Sequence, residues 1–233
     1  MIPMNTYLET FDNGPGGWWG WAGNDLGLRR LEIRDGAAVT RSPWWIDYNH
    51  APPGAGYLHM LYSLNTKGPF GEQLKEIGGP NGFVASGCPR RFTDARLSIR
   101  VRGELIENGA RLVLLVQAAG NDMISGWLLT GQPFRVGPAW SDQTVALAAD
   151  ERQWQCLGAR HDRQDYYGRL PLERVLADVN VNLMLVLFPL TIAPMGPLAG
   201  DPHRLRPERD YPVWRSKLPE GYLELDTVRI EFP

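Results

Sequence analysis

The sequence predicts an all-β protein, a two-sheet antiparallel β-sandwich of jelly-roll type with little helix. Its 26 glycines and 19 prolines are dispersed at the short intervals expected when many strands are joined by turns. In residues 96–102, Leu97, Ile99 and Val101 alternate with polar residues, which is the period of a half-buried antiparallel strand. A chain of 233 residues suits one sandwich, so we expect a single domain over residues 1–233.

The individual strands can be predicted in chain order. The clearest ones lie at residues 96–102, 111–117, 144–147, 181–188 and 222–232. Residues 183–188 are continuously apolar, so we expect this segment to be a central strand that is covered on both faces. In the last strand the alternation slips at Thr227 and Val228, which predicts a β-bulge.

Two other segments differ from the strand pattern. Residues 171–178 begin with Pro171 and carry Glu173 early, a combination that favours a short helix. Residues 191–219 are rich in proline and charge and lack periodicity, so we expect a long excursion over the surface. Long loops of this kind often contribute to function.

Charge and hydropathy exclude two classes of partner. The net charge is −2 and no five like charges follow one another, so the chain lacks the basic patch that binds nucleic acid. The longest apolar run, residues 183–190, is far shorter than the roughly 20 residues that span a bilayer. We therefore expect neither nucleic acid nor a membrane as partner.

The cysteines and the N-terminus bear on the compartment. Cys88 and Cys156 match no metal or redox spacing, so we expect two free buried thiols and a reducing environment. The first residues lack the pattern of a secretory signal, which favours the cytoplasm. If a leader has been removed, an extracellular location follows instead.

Tryptophans and polar residues cluster in one short segment, which predicts a carbohydrate site. Indole faces pack against the C–H face of a sugar ring, while Asp, Asn, Tyr and His can hydrogen-bond its hydroxyls. Adjacent residues of an extended chain point to opposite faces, so we expect at least one of Trp44 and Trp45 to face outward. The candidate contacts to an oligo- or polysaccharide are Trp44, Trp45, Asp47, Tyr48, Asn49 and His50, helped by Trp127 or Trp140.

An enzyme on the same fold is the alternative to a binding domain. Tyr48, His50 and His59 could move a proton at a bound sugar, as a polysaccharide lyase requires. Glycoside hydrolysis is less favoured, because no pair of carboxylates stands out on neighbouring strands. A structural or protein-interaction role is a second alternative, and the sequence leaves the choice, the sugar and the oligomeric state open.

The two ends of the chain resemble a known family. Residues 8–14, with Gly17 and Trp18, and residues 221–230 resemble the first and last strands of carbohydrate-binding-module-like jelly rolls of the galactose-binding-domain type. This resemblance implies that the terminal strands are neighbours. It also implies that acidic residues from both strands, here Glu9 and Asp226, hold a structural Ca²⁺ through their carboxylate oxygens.

Overall fold

The computed structural model shows two antiparallel β-sheets that pack face to face, which confirms the predicted sandwich. The structure describes residues 5–21, 27–44, 46–47, 55–69, 71–158, 167–201 and 205–233; residues 46, 47 and 216 are described by their backbone alone.

The smaller sheet has six strands in the part of the chain that is described. Their bounds are β1 Thr6–Glu9, β4 Glu32–Arg34, β5 Ala37–Arg41, β8 Arg96–Ile106, β11 Ser141–Ala146 and β14 Glu220–Glu231. The strand order is β11-β8-β14-β5-β4, and β1 pairs with β14. Because β1 and β14 are hydrogen-bonded neighbours, the predicted pairing of the terminal strands is confirmed.

The larger sheet has eight described strands. Their bounds are β2 Trp18–Trp21, β3 Leu28–Arg29, β6 Ile46–Asp47, β7 Tyr57–Asn65, β9 Arg111–Gly120, β10 Met123–Leu128, β12 Gln155–Cys156 and β13 Asn182–Leu190. The strand order is β12-β10-β9-β13-β7-β2-β3, and β6 pairs with β7. The apolar strand β13 lies between β9 and β7, which confirms its predicted central place.

The main core lies between the two sheets. It is built from the inward residues of both, such as Leu97 and Ile99 of β8 and Leu183 and Leu185 of β13. The buried hydroxyl of Tyr62 on the larger sheet lies 2.9 Å from the Ala38 carbonyl oxygen and 3.1 Å from that of Leu223, both on the smaller sheet. This contact links the two layers by a hydrogen bond as well as by apolar packing.

Helix is scarce among the described residues. Helix α3 (Leu172–Ala177) follows Pro171, as predicted, and buries Leu172 against the core. Helices α1 (Glu72–Gly78) and α2 (Gly82–Ala85) are not among the elements that the sequence predicts. None of the described helices is long and apolar enough to cross a membrane.

Smaller features agree with the sequence to within a residue or two. The irregularity of β14 falls between Leu225 and Thr227, one residue before the predicted slip. Cys88 and Cys156 are both free thiols, but only Cys88 is buried as predicted, whereas Cys156 is partly exposed. The described part of 191–219 makes isolated pairings, such as Pro194 with Val213, and a 3-10 turn at Arg215–Lys217.

Candidate functional site

The outer face of the larger sheet is apolar, unlike an ordinary solvent-facing surface. A second hydrophobic cluster, separate from the main core, covers it. It contains Trp19, Leu58, Met60, Leu74, Val113, Leu115, Leu128, Leu157, Met184, Val186 and Phe188. Strand alternation explains the two clusters, because side chains at i and i+2 of a central apolar strand share a face.

Three side-chain amides cross this apolar face in one row. Asn182 of β13 is paired in register with Gln117 of β9 on one side and with Asn65 of β7 on the other. Gln117 and Asn182 each lie two residues from a member of the outer cluster, and Asn65 is the register partner of Asn182, so all three share the outer face. Neighbouring strands lie about 4.8 Å apart, so the row spans roughly 10 Å.

A hydroxyl and an indole complete the group. Ser63 is the register partner of both Trp19 and Met184, which places it on the same face one step from the row. The Trp19 Nε1–H donates to Asn65 Oδ1 over 2.6 Å. The Trp19 ring meets that of Trp21 edge to face, with 5.9 Å between centroids. We call Ser63, Asn65, Gln117, Asn182 and Trp19 the amide cluster.

Two polar atoms of the amide cluster lack a partner. In the described part of the chain, Ser63 Oγ and Asn182 Oδ1 are buried and form no hydrogen bond. Ser63 is 1% exposed and Asn182 is 7% exposed. A buried polar group without a partner costs about 1–3 kcal/mol, so each of these atoms requires an explanation.

The surroundings of the amide cluster are apolar. The side chains packed around it are those of the outer hydrophobic cluster, with Trp21, Leu28, Ala55 and Ile77 at its margin. Helix α1 contributes Leu74 and Ile77. Among the described side chains, the one buried carboxylate is that of Glu224 on the smaller sheet, and no Lys or Arg is buried.

Sequence reasoning missed the amide cluster. Each amide is a single polar residue at the end of an apolar strand, as in Gln117 after residues 112–116 and Asn182 before residues 183–187. That pattern is the available signal, but it also fits a strand terminus facing solvent. Only the cross-strand register distinguishes the two cases, because it brings three positions that are distant in sequence into one row.

The predicted tryptophan-rich segment is only partly described. Trp44 is 5% exposed, lies in the main core and donates its Nε1–H to Thr40 Oγ1 at 3.0 Å. His59 is 1% exposed, and its ring lies 6.0 Å from that of Trp44. Trp44 is therefore the inward-facing member of its pair, so it does not contact a ligand as predicted, and the expectation that one of Trp44 and Trp45 faces outward rests on Trp45. The physical reason is that burial of an indole in the core is favourable when its N–H finds a hydrogen-bond acceptor.

The roles predicted for the remaining residues of that segment stay predictions. Trp45, Tyr48, Asn49 and His50 lie outside the described residues. Asp47 lies in strand β6 and is described by its backbone alone, which pairs with that of Leu58 in strand β7. The sugar-contacting and catalytic roles predicted for these residues are therefore untested.

The other two predicted tryptophans lie on different surfaces. Trp127 faces the main core and donates its Nε1–H to the Leu170 carbonyl at 3.0 Å, so its indole is a core residue rather than a platform. Trp140 is half-buried on the outer face of the smaller sheet. The Arg102 guanidinium lies 4.5 Å from the centre of its ring, and that of Arg100 lies 5.7 Å away.

The outer face of the smaller sheet is charged and internally paired. Glu224 is buried there and accepts hydrogen bonds of 2.6 Å from both Arg34 and Arg102. Burial by itself raises the pKa of Glu224, but the hydrogen bonds and positive charges of Arg102 and Arg34 outweigh it and leave the pKa below its usual value. Because these charges satisfy one another, this face has the character of a solvated sheet surface.

The acid dependence of folding tests this ion-pair network. A carboxyl group with a lowered pKa in the folded state stabilises the protein above the unfolded pKa, about 4.3 for glutamate. This stabilisation disappears as the pH falls through the lower, folded-state pKa. We expect Glu224→Gln to be less stable than the unsubstituted protein at pH 7 and the difference to shrink by pH 3, measured by urea unfolding. Exposed Glu107→Gln is the control, and an equal difference at both pH values would contradict the assignment.

The two carboxylates predicted to share Ca²⁺ make different contacts. Glu9 Oε1 accepts the backbone N–H groups of Thr10 and Phe11 at 3.1 and 2.9 Å. Asp226 Oδ2 lies 3.5 Å from Nε of Arg100, whose positive charge disfavours a cation there. No group of three or more His, Cys, Asp or Glu that could hold a metal occurs in the described ranges. The Ca²⁺ site stays a prediction that these contacts do not support.

Comparisons with known proteins assign neither a family nor an activity. No protein-family model and no curated protein matches the chain. A solved structure described as "Prominent members of the human gut microbiota express endo-acting O-glycanases to initiate mucin breakdown" is similar over 97% of this chain and 98% of that chain, with 12% identity and a TM-score of 0.41. A likeness of this strength carries no argument about function.

Proposed function

We propose that the protein is a carbohydrate-recognition domain that binds its ligand at the amide cluster on the outer face of the larger sheet. The observation that carries this proposal is the pair of unpartnered atoms, Ser63 Oγ and Asn182 Oδ1, in an otherwise apolar part of the described structure beside Trp19. A ligand that supplies hydrogen bonds to both atoms recovers the free energy that their burial costs.

The chemistry of the amide cluster suits a sugar. A pyranose has apolar C–H faces and a rim of hydroxyls, so its ideal site combines aromatic rings with a few convergent amides and hydroxyls. Trp19 and Trp21 provide the rings, and Gln117, Asn182 and Ser63 provide the polar groups. A row of about 10 Å is longer than one sugar ring, which favours an oligosaccharide over a monosaccharide.

Recognition is favoured over catalysis by the same residues. The amide cluster offers neutral amides, a hydroxyl and an indole, none of which is a strong general acid or base near neutral pH. The lyase alternative now depends on Tyr48 and His50. Release of unsaturated products or of reducing ends from any glycan would identify an enzyme instead.

Two substitutions at the unpartnered atoms test the proposal. Binding to a panel of oligosaccharides is measured by titration calorimetry for the unsubstituted protein, Ser63→Ala and Asn182→Leu. We expect each variant to lose about 1–3 kcal/mol of binding free energy, because a ligand hydroxyl is left unpaired. The free energy of unfolding should stay equal or rise, because each change removes a buried polar atom that lacks a partner.

Ser125→Ala is the matched control on the same sheet. Ser125 is equally buried, but its Oγ accepts the Leu170 N–H at 2.8 Å, and it lies on the opposite face of β10 from Gly126 and Leu128. Loss of this hydrogen bond in Ser125→Ala should lower the free energy of unfolding by about 1–3 kcal/mol and leave glycan affinity unchanged. The proposal fails if no glycan binds, or if Ser63→Ala and Asn182→Leu bind as tightly as the unsubstituted protein.

A further inference from the structure

The unpartnered amide oxygen of Asn182 restricts what can bind beside it. An amide oxygen only accepts hydrogen bonds, so the group that meets it must be a donor, a hydroxyl or an N–H. The neighbouring amide oxygen of Asn65 is already occupied by Trp19 Nε1 at 2.6 Å. Carboxylate and sulfate oxygens are acceptors, so they would meet Asn182 Oδ1 with repulsion rather than with a hydrogen bond.

Charge gives a second, independent restriction. Among the described residues, no hydrogen bond or ion pair joins a charged side chain to the amide cluster, and its packing neighbours are apolar. Arg34, Arg100 and Arg102 lie on the outer face of the smaller sheet, beyond the core. A charged ligand group that leaves water for a neutral apolar surface loses its hydration without gaining a partner, at a cost of several kcal/mol.

We infer that the ligand of the amide cluster is a neutral glycan with free hydroxyls, and not a uronate-containing or sulfated one. The inference rests on the proposed function and names the ligand class of the same site. It also separates this site from lyase chemistry, in which a uronate carboxylate must be neutralised by a cation or a proton donor. The five residues of the amide cluster include neither a cationic side chain nor an acid.

The experiment compares oligosaccharides of equal length. Neutral gluco-, xylo- and manno-oligosaccharides are titrated alongside oligogalacturonate, oligoglucuronate and a sulfated oligosaccharide, at pH 7 and two salt concentrations. We expect the best neutral ligand to bind at least about tenfold more tightly than any charged one. Its affinity should be nearly independent of salt, because no ion pair contributes. O-methylation of its hydroxyls should abolish binding, because the donors are then lost.

Two variants locate the selectivity. Asn182→Asp keeps the shape of the side chain and adds a negative charge, so binding of the neutral ligand should fall about tenfold or more while oligouronate binding stays absent. Arg102→Gln alters the charged face of the smaller sheet. It should leave the affinity for the neutral ligand unchanged, and oligouronates should still not bind. Circular dichroism confirms that both variants are folded.

The outcomes separate this inference from the proposal on which it rests. If only charged glycans bind, and Arg102→Gln abolishes their binding, carbohydrate recognition stands but takes place on the other sheet, and the inference is overturned. If charged glycans bind and Asn182→Leu weakens their binding, the amide cluster is the binding site, but its predicted selectivity for neutral glycans is wrong. If no glycan of either class binds, the proposed function itself fails.

Discussion

Replacing Trp18 by alanine is expected to lower the free energy of unfolding by about 3–5 kcal/mol, the range for large aromatic side chains in a core. Trp18 is fully buried between the sheets and meets the ring of Phe11 edge to face at 6.3 Å. Its Nε1–H donates to the Tyr7 hydroxyl at 2.9 Å, so the substitution also removes a buried hydrogen bond. Urea unfolding of the variant measures the loss, and the milder Trp18→Phe provides a value if the alanine variant does not fold.

The neighbouring Trp19 should behave differently, because it lies on the opposite face of β2. Trp19→Phe keeps most of the apolar packing but removes the donor to Asn65. We expect it to weaken glycan binding by about 1–3 kcal/mol, the range for a ligand-facing aromatic or for a broken buried hydrogen bond. Folded Trp18→Phe should bind glycan normally. Equal binding losses in both phenylalanine variants would show that the two faces of β2 do not have separate roles.

Gly221→Ala is expected to be the most damaging small substitution in the smaller sheet. Gly221 adopts φ 135°, and a Cβ atom there would lie 1.9 Å from the carbonyl oxygen of Glu104 on the paired strand β8. A left-handed φ costs about 1–3 kcal/mol for a residue with a side chain, and the clash must in addition displace backbone. We expect the free energy of unfolding to fall by at least about 2 kcal/mol.

Gly109→Ala separates backbone strain from the clash. Gly109 in the β8–β9 turn has φ 92°, and a Cβ atom added there would face open space. It should therefore show the conformational penalty alone. Thermal unfolding of both variants gives the comparison, and glycan affinity should be unchanged in each because neither glycine lies on the larger sheet. A Gly221→Ala protein no less stable than Gly109→Ala would contradict the close approach of β14 and β8.

The fold could be predicted because its signals are local. The alternation in residues 96–102, the apolar run 183–188 and the dispersed turn residues each depend on neighbours in sequence, and the first two define strands of the structure. Helices α1 and α2 were missed because they are short and lack an apolar stripe of useful length, so packing rather than periodicity stabilises them.

The candidate site could not be predicted in the same way. Density of aromatic and polar residues drew attention to Trp44 and His59, yet composition does not specify on which face of a strand a side chain lies. Both side chains are buried, and Trp127 is turned to the core as well. Burial of an indole is favourable wherever its N–H finds an acceptor, as Thr40 and Leu170 provide here.

By itself, the sequence determined that this protein is a sandwich of antiparallel strands, and the resemblance of its two ends to a known family implied that the first and last strands are neighbours. Only the tertiary structure decided that Asn65, Gln117 and Asn182 form one row, that Trp18 rather than Trp19 faces the main core, and that Ser63 Oγ and Asn182 Oδ1 lack partners among the described residues. The physical reason is that register between strands is set by long-range pairing. Shifting one strand by a single residue would turn each of these side chains to the other face.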